Sequence, residues 1–162
     1  MDETTAAAIA VLNACRARGW TLATAESCTG GLVAGALTEI AGSSDVVDRG
    51  FVTYSNKAKQ QMLGVPAQTL RDYGAVSRQT AEAMARGALQ KAKVDVAVAI
   101  TGIAGPGGGS DDKPVGLVHF AAQSRDGTSM HAAKRYGDIG RSQVREKSVL
   151  QALAMLRELA DQ

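Results

Sequence analysis

Residues 24–31 read TAESCTGG, set between the apolar run WTLATA (20–25) and the segment LVAGALTEI (32–40). A strand running into a helix needs only a cap and a glycine to make the turn. This junction holds the hydroxyls of Thr24, Ser27 and Thr29, the Cys28 thiol, the Glu26 carboxylate, and Gly30 with Gly31. The same order of strand, polar segment and helix recurs. RGFVTYS (49–55) reads as a strand with Phe51 and Val52 apolar, and KAKQQMLG (57–64) follows it as a helix that Asn56 can cap. DVAVAIT (95–101) alternates Val96, Val98 and Ile100 with alanines, so both of its faces can be covered. It runs into the glycine-rich loop GIAGPGGGSDDKPVG (102–116). Three such units predict an α/β layered domain of about five strands. If the three strands are parallel, their polar segments converge on one sheet edge, where open α/β sheets bind ligands.

The remaining elements fit this plan. MDETTAAAIAVLNACRARGW (1–20) reads as a helix capped by Asp2 or Thr4, and TGGLVAGALTEIAG (29–42) as one ended by Gly42. Pro66 starts a new segment, and Ser77 caps a helix over 78–93 whose Ala81, Met84, Ala85, Ala88 and Leu89 share a face. GLVHFAAQ (116–123) and TSMHAAKRY (128–136) flank Asp126-Gly127, a hairpin signal that makes them antiparallel. The terminal segment is an amphipathic helix with Val144, Val149, Ala152, Leu153, Leu156 and Leu159 on its buried face.

The 162 residues fit one domain over 1–162, with no repeat or linker. A net charge of +2 gives no electrostatic case for nucleic-acid or membrane binding. No apolar run is long enough to span a bilayer, and the first residues lack the pattern of a signal peptide. Two cysteines make no disulfide framework, so a reducing cytoplasm is the expected compartment.

Each candidate residue has a plain reading beside a chemical one. Ser27 is a helix cap or a nucleophile; Thr29 can serve as the cap instead. In the chemical reading, backbone N–H groups over Thr29, Gly30 and Gly31 and the helix dipole hold an oxyanion. Cys28 is the rival nucleophile. Glu26 is a buried acceptor or a substrate contact. Lys59 falls in the first turn of a helix, an electropositive place. It either points to solvent, as Lys57 can, or faces a dry crevice where desolvation lowers its pKa enough to act as a base for serine. Tyr54 tunes that pair or packs on the sheet edge. The loop after Thr101, with Gly102, Gly105, Gly107, Gly108 and Gly109, matches neither a Walker loop nor a dinucleotide fingerprint. It either lines an anion with N–H groups or is a flexible surface loop. His119 and His131 have no Cys or carboxylate cluster beside them, so no metal site is expected. Arg141 and Arg145, one turn apart, are solvated helix charges or reach a substrate phosphate.

AESCTGG, GFVTYSNKAK, GAVS, AITGIAGPGGGSDDKPVGLVHF and RSQVRE occur in this order over roughly residues 6–160. Together they resemble the CinA C-terminal domain family, whose stand-alone members include PncC-type nicotinamide-nucleotide amidases. The resemblance implies a three-layer α/β/α sandwich with a mixed, mostly parallel five-stranded sheet. It also implies hydrolysis of nicotinamide mononucleotide to nicotinate mononucleotide and ammonia, without a cofactor. The family's proposed nucleophile lands on Ser27, and the lysine and tyrosine of its second motif land on Lys59 and Tyr54. The residue opening its third motif lands on Thr101. The implied mechanism is a Ser–Lys amidase with Tyr54 and Thr101 in the catalytic group. Substrate contacts are then expected from Thr29, Gly30, Gly31, Ser55, Asn56, Gly102, Gly105 and Gly109. A homo-oligomer is expected, both from the resemblance and from the apolar surplus of the terminal helix and last strand. The competing function is a nucleotide-binding or regulatory module of the same family that does no chemistry.

Overall fold

The computed structural model describes residues 1–162. In chain order the elements are α1 (Glu3–Arg18), β1 (Leu22–Glu26), α2 (Leu32–Thr38), a 3-10 turn (Ser43–Asp45), β2 (Val47–Val52), α3 (Asn56–Leu63), α4 (Ala67–Tyr73), α5 (Arg78–Ala92), β3 (Val96–Gly102), β4 (Leu117–Ser124), β5 (Ser129–Arg135) and α6 (Arg141–Asp161). The sheet order is β2-β1-β3-β4-β5. β1 pairs parallel with β2 and β3, while β3–β4 and β4–β5 are antiparallel. Four strands therefore point the same way and β4 alone is reversed. The mixed five-stranded α/β sheet expected from the sequence is present.

The two sheet faces differ in side-chain size, and that difference sets the layers. Leu22, Val96, Val98, Ile100, Val118 and Phe120 face a core shared with α1, α2 and α6. Ala23, Ala25, Ala97, Ala99 and Ala121 face the other core, shared with α5 and with Leu63, Val65 and Leu70 from the α3–α4 segment. The alanine face lets α5 lie close to the sheet. Because α5 is itself built from Ala81, Ala85, Gly87 and Ala88 on its buried side, α3 in turn lies close to α5.

Local signals place most ends. Asp2 caps α1 by accepting from the Thr5 N–H at 2.7 Å, and Ser77 caps α5 by accepting from Thr80 at 3.1 Å. Three expectations change. α2 stops at Thr38, not at Gly42, where Thr38 Oγ1 donates back to the Ala34 carbonyl and the chain tightens into the 3-10 turn. The cap of α3 is Ser55, whose Oγ accepts from Ala58 N–H at 3.0 Å; Asn56 is the first helical residue. Pro66 opens a short helix, α4, that the apolar periodicity did not mark. No helix is long and apolar enough to cross a membrane.

Candidate active site

Parallel β1, β2 and β3 deliver their C-terminal ends to one sheet edge. There a cleft of about 270 Å³ is lined by residues from all three post-strand segments and from α6. Ser27 follows β1 directly, its N–H donating to the Ile100 carbonyl of β3 at 2.9 Å. Beyond β2, Thr53 N–H extends the ladder to the Glu26 carbonyl at 2.8 Å, and Ser55 then starts α3. Lys59, on the first full turn of α3, points back to the sheet edge. Its Nζ donates to Ser27 Oγ at 3.0 Å and to the Thr53 carbonyl at 2.8 Å. The Lys59 side chain is only 1% exposed and has no carboxylate in contact. Burial therefore holds its ammonium below the ordinary lysine range, against a smaller opposing effect from Cys28. A buried amine with depressed basicity beside a hydroxyl can accept that hydroxyl's proton, which turns serine into a nucleophile.

The turn carrying Ser27 is arranged differently from the sequence expectation. Neither Ser27 nor Thr29 caps α2. The cap position is Gly31, at φ +105°, a conformation that disfavours any side chain. The fully buried Glu26 carboxyl reaches forward and accepts from the N–H groups of Gly31, Val33 and Ala34 at 3.2, 2.9 and 3.0 Å. The Gly30 N–H is taken by the Ser27 carbonyl. Gly30 and Gly31 therefore offer no free donor to an oxyanion, and the dipole of α2 is spent on Glu26. The free N–H groups in this turn are those of Cys28 and Thr29. The Cys28 thiol lines the cleft, but burial pushes it up to about 11, so it stays protonated near neutrality.

The other candidates divide into those in the cleft and those outside it. Tyr54 lines the cleft, is exposed, and accepts a bond from Arg141 Nη2 at 2.6 Å; it bonds neither Ser27 nor Lys59. Thr101 is buried in the cleft wall and donates from Oγ1 to the Ala75 carbonyl at 2.7 Å, tying the α4–α5 connection to the end of β3. Asn56, Gly102 and Gly105 also line the cleft. Thr29, Gly30, Gly31, Ser55 and Gly109 do not: Ser55 is spent as a cap, and Gly109 turns the loop where a Cβ would lie 2.8 Å from Val115 N. Gly107 and Gly108 take its place in the lining, with N–H groups that donate to no protein atom.

Arg141 and Arg145, two of the three arginines of α6, both donate to loop carbonyls, against the solvated-charge reading. Arg141 lines the cleft and donates to the Gly105 carbonyl at 2.8 Å as well as to Tyr54. Arg145 lies behind the turn that carries Ser27 and donates to the Cys28 and Thr29 carbonyls at 3.0 and 3.3 Å. Ile103 and Ala104, in the loop over 102–110 expected to contact the nucleotide, line the wall, as do Ala75 and Val76, which sequence reasoning missed. Ala75 and Val76 carry no polar signal, and only their position after α4 puts them there. His119 and His131 bond each other at 3.1 Å and do not line the cleft. No three His, Cys, Asp or Glu side chains are grouped to hold a metal ion.

Fold and cleft together define a class: α/β proteins with a buried serine–lysine pair at the carboxyl edge of the parallel strands. The chain belongs to the CinA C-terminal domain family, whose sequence model matches residues 4–160. The nicotinamide-nucleotide amidohydrolase PncC of Enterobacter agglomerans is 55% identical over 123 residues, which cover 76% of this chain and 75% of PncC. A CinA-like protein of Synechococcus sp. strain RCC307 is 55% identical over 91% of this chain, which spans only 35% of that longer relative. The crystal structure of the competence/damage inducible protein CihA from Agrobacterium tumefaciens is 56% identical and superposes with a TM-score of 0.97, covering 100% of this chain and 98% of that one. A CinA superfamily protein from Klebsiella pneumoniae, at 40% identity, superposes with a TM-score of 0.92 over 98% of each chain.

Proposed function

We propose that this protein is a nicotinamide-nucleotide amidase that hydrolyses nicotinamide mononucleotide to nicotinate mononucleotide and ammonia, as a step of pyridine nucleotide salvage in the cytoplasm. The observation that carries the reading is the buried Lys59–Ser27 contact at 3.0 Å inside the cleft. The relationship to PncC supports the substrate class. In the neutral amine the contact reverses sense, and the Ser27 hydroxyl donates to Lys59 Nζ. Ser27 Oγ attacks the carboxamide carbon as its proton passes to Nζ. The resulting oxyanion is held by the N–H groups of Cys28 and Thr29. The C–N bond then breaks, Lys59 returns the proton to nitrogen, and ammonia leaves. Water attacks the acyl-enzyme with Lys59 again taking a proton, and Ser27 is restored.

At the other end of the cleft, Arg141 and the idle N–H groups of Gly107 and Gly108 offer a phosphate site of fixed donors. In this reading Asn56, which lines the same cleft, contacts the ribose, and the apolar wall of Ala75, Val76 and Ile103 takes the pyridine ring. Thr101 keeps that wall in place through Ala75. In this reading residues 1–162 act as one domain, need no cofactor, and assemble as a homo-oligomer, which light scattering at micromolar concentration checks.

The test is ammonia release from nicotinamide mononucleotide, with Ser27→Ala as control. Release by the natural sequence that Ser27→Ala abolishes supports the amidase. Binding of the nucleotide without ammonia release would instead favour a nucleotide-binding or regulatory module. That second reading draws on relatives such as the Synechococcus protein, of which this chain spans 35%.

A further inference from the structure

The two idle donors beside Ser27 stand opposite a charged group that the reaction scheme leaves unused. Over residues 27–32, the N–H groups of Ser27, Gly30, Gly31 and Leu32 all have acceptors, whereas those of Cys28 and Thr29 have none. Cys28 is 5% exposed and Thr29 fully buried, and buried backbone donors are nearly always paired. On the carbonyl side of the turn the pattern is reversed. The Cys28 carbonyl accepts from Arg145 Nε at 3.0 Å, and the Thr29 carbonyl from Nη2 at 3.3 Å.

A trans peptide points its C=O and N–H in opposite directions. Holding the Cys28 carbonyl toward α6 therefore turns the Thr29 N–H away from α6. A cationic donor on the carbonyl also draws electron density from the amide and makes that N–H a stronger donor. Arg145 is half-buried behind the turn, with its Nε and Nη2 spent on the two carbonyls. Its planar fork donates from two nitrogens to two successive carbonyls in a fixed geometry that a compact, rotatable ammonium does not reproduce. The adjacent residue leaves it room: a Cβ on Gly30 would lie 3.1 Å from Arg145 Nη2.

We infer that Arg145 is a positioning residue for the oxyanion site. It fixes and polarises the Cys28–Thr29 peptide, whose N–H is that of Thr29, so that this donor, next to the Cys28 N–H of the preceding peptide, receives the charge that develops when Ser27 attacks. This rests on the amidase reading for its substrate, but not for its test, because any electrophile attacked by Ser27 develops charge at the same place.

The experiment uses the full chain with Arg145→Met and Arg145→Lys. Four quantities are read: steady-state ammonia release, affinity for the planar product nicotinate mononucleotide, melting temperature, and labelling of Ser27 by an alkyl fluorophosphonate. In labelling, Oγ forms a bond to phosphorus, fluoride leaves, the serine proton passes to Lys59, and the phosphoryl oxygen occupies the oxyanion site. Arg145→Met is expected to lower kcat and the labelling rate together by about 100-fold, the size of losing one oxyanion donor. KM, product affinity and the pH midpoint of the rate stay within about threefold, or about half a pH unit, of the natural protein. Arg145→Lys, which keeps the charge and carries the test should the methionine variant fail to fold, is expected to recover only part of the loss. Labelling and kcat within threefold of the natural protein in either folded variant overturn the inference. So does a loss accompanied by an equal loss of product affinity or by a moved pH midpoint, since Arg145 would then act on substrate or on Lys59. If the natural protein labels at Ser27 but releases no ammonia, the amidase reading fails and the labelling rates alone decide the role of Arg145. If it neither labels nor releases ammonia, both fall.

Discussion

Gly87 lies mid-way along α5, far in sequence from the cleft, and Gly87→Ala is expected to disable it. A Cβ built there would sit 1.9 Å from the Leu63 carbonyl oxygen at the end of α3, 2.9 Å from the Leu63 carbonyl carbon and 3.2 Å from its Cα. All three are backbone atoms, so no side-chain rotation relieves the clash. Opening the shortest contact from 1.9 Å to the 3.0 Å that real Cβ atoms respect moves α3 by at least about 1.1 Å relative to α5. Lys59 is one helical turn before Leu63 on α3, so a rigid shift of that size takes its Nζ–Oγ contact from 3.0 Å toward about 4 Å. Misplacement of a reacting group by about 1 Å costs on the order of 100-fold in rate. In stability, overpacking costs about 1–3 kcal/mol, and replacing a helical glycine with alanine returns about 1 kcal/mol. The net loss is at most about 2 kcal/mol, or up to roughly 8 °C in melting temperature for a chain of this length. Ammonia release and thermal unfolding, each compared with Gly35→Ala, make the assay. Gly35 is also helical, has no atom within 4 Å of a built Cβ, and is expected to gain stability with unchanged activity. A Gly87→Ala protein with at least half the natural activity and an unshifted melting temperature would refute the coupling of α5 packing to the Ser27–Lys59 distance.

Four further outcomes are expected. The turnover rate should rise with pH through a midpoint below the ordinary lysine value of about 10.4, because burial lowers the Lys59 pKa and the neutral amine is the active form; Lys59→Arg, which cannot lose its proton, should be inactive at every pH. The same shift has a stability consequence: between the folded-state pKa and about 10.4 the unfolded chain binds the extra proton, so the natural protein should gain on Lys59→Met as pH rises through that window, read by chemical denaturation at stepped pH. Cys28→Ala should keep kcat within about threefold, since a thiol pushed up to about 11 is not the nucleophile near neutrality; loss of activity there with survival in Ser27→Ala would move the nucleophile by one residue. Tyr54→Phe removes the oxygen that accepts from Arg141 and should raise KM for the mononucleotide about fivefold, the worth of roughly one hydrogen bond, whereas a collapse of kcat would put the phenol in proton transfer.

Much of the fold is local chemistry and was legible without coordinates. The Val/Ala alternation of β3, the Asp-Gly hairpin between β4 and β5, the caps at Asp2 and Ser77 and the apolar face of α6 each act within a few residues. Periodicity and capping depend on such short spans, so they can be read one segment at a time. Three strands each followed by a polar segment also foretold a shared edge, because parallel strands must end on the same side. Where local signals compete, a segment-by-segment reading picks wrongly: Asn56 reads as the cap of α3, yet Ser55, an equally good cap one residue earlier, takes the role. The site itself depends on pairings across long separations. Lys59 meets Ser27 over 32 residues and Arg145 meets Cys28 over 117. Nothing near Lys59 in sequence says that it is buried rather than solvated. That follows from the alanine face of the sheet and from Gly87, which let α5 and then α3 approach until the lysine lies over the end of β1. Glu26 reads as a buried acceptor or a substrate contact, and only the path of the turn decides for the acceptor, bringing three backbone donors onto its carboxyl and leaving those of Cys28 and Thr29 free. The sequence thus determined which groups are available at the edge; close packing of the layers decided which of them touch, because a difference of about one ångström in helix position makes or breaks a hydrogen bond.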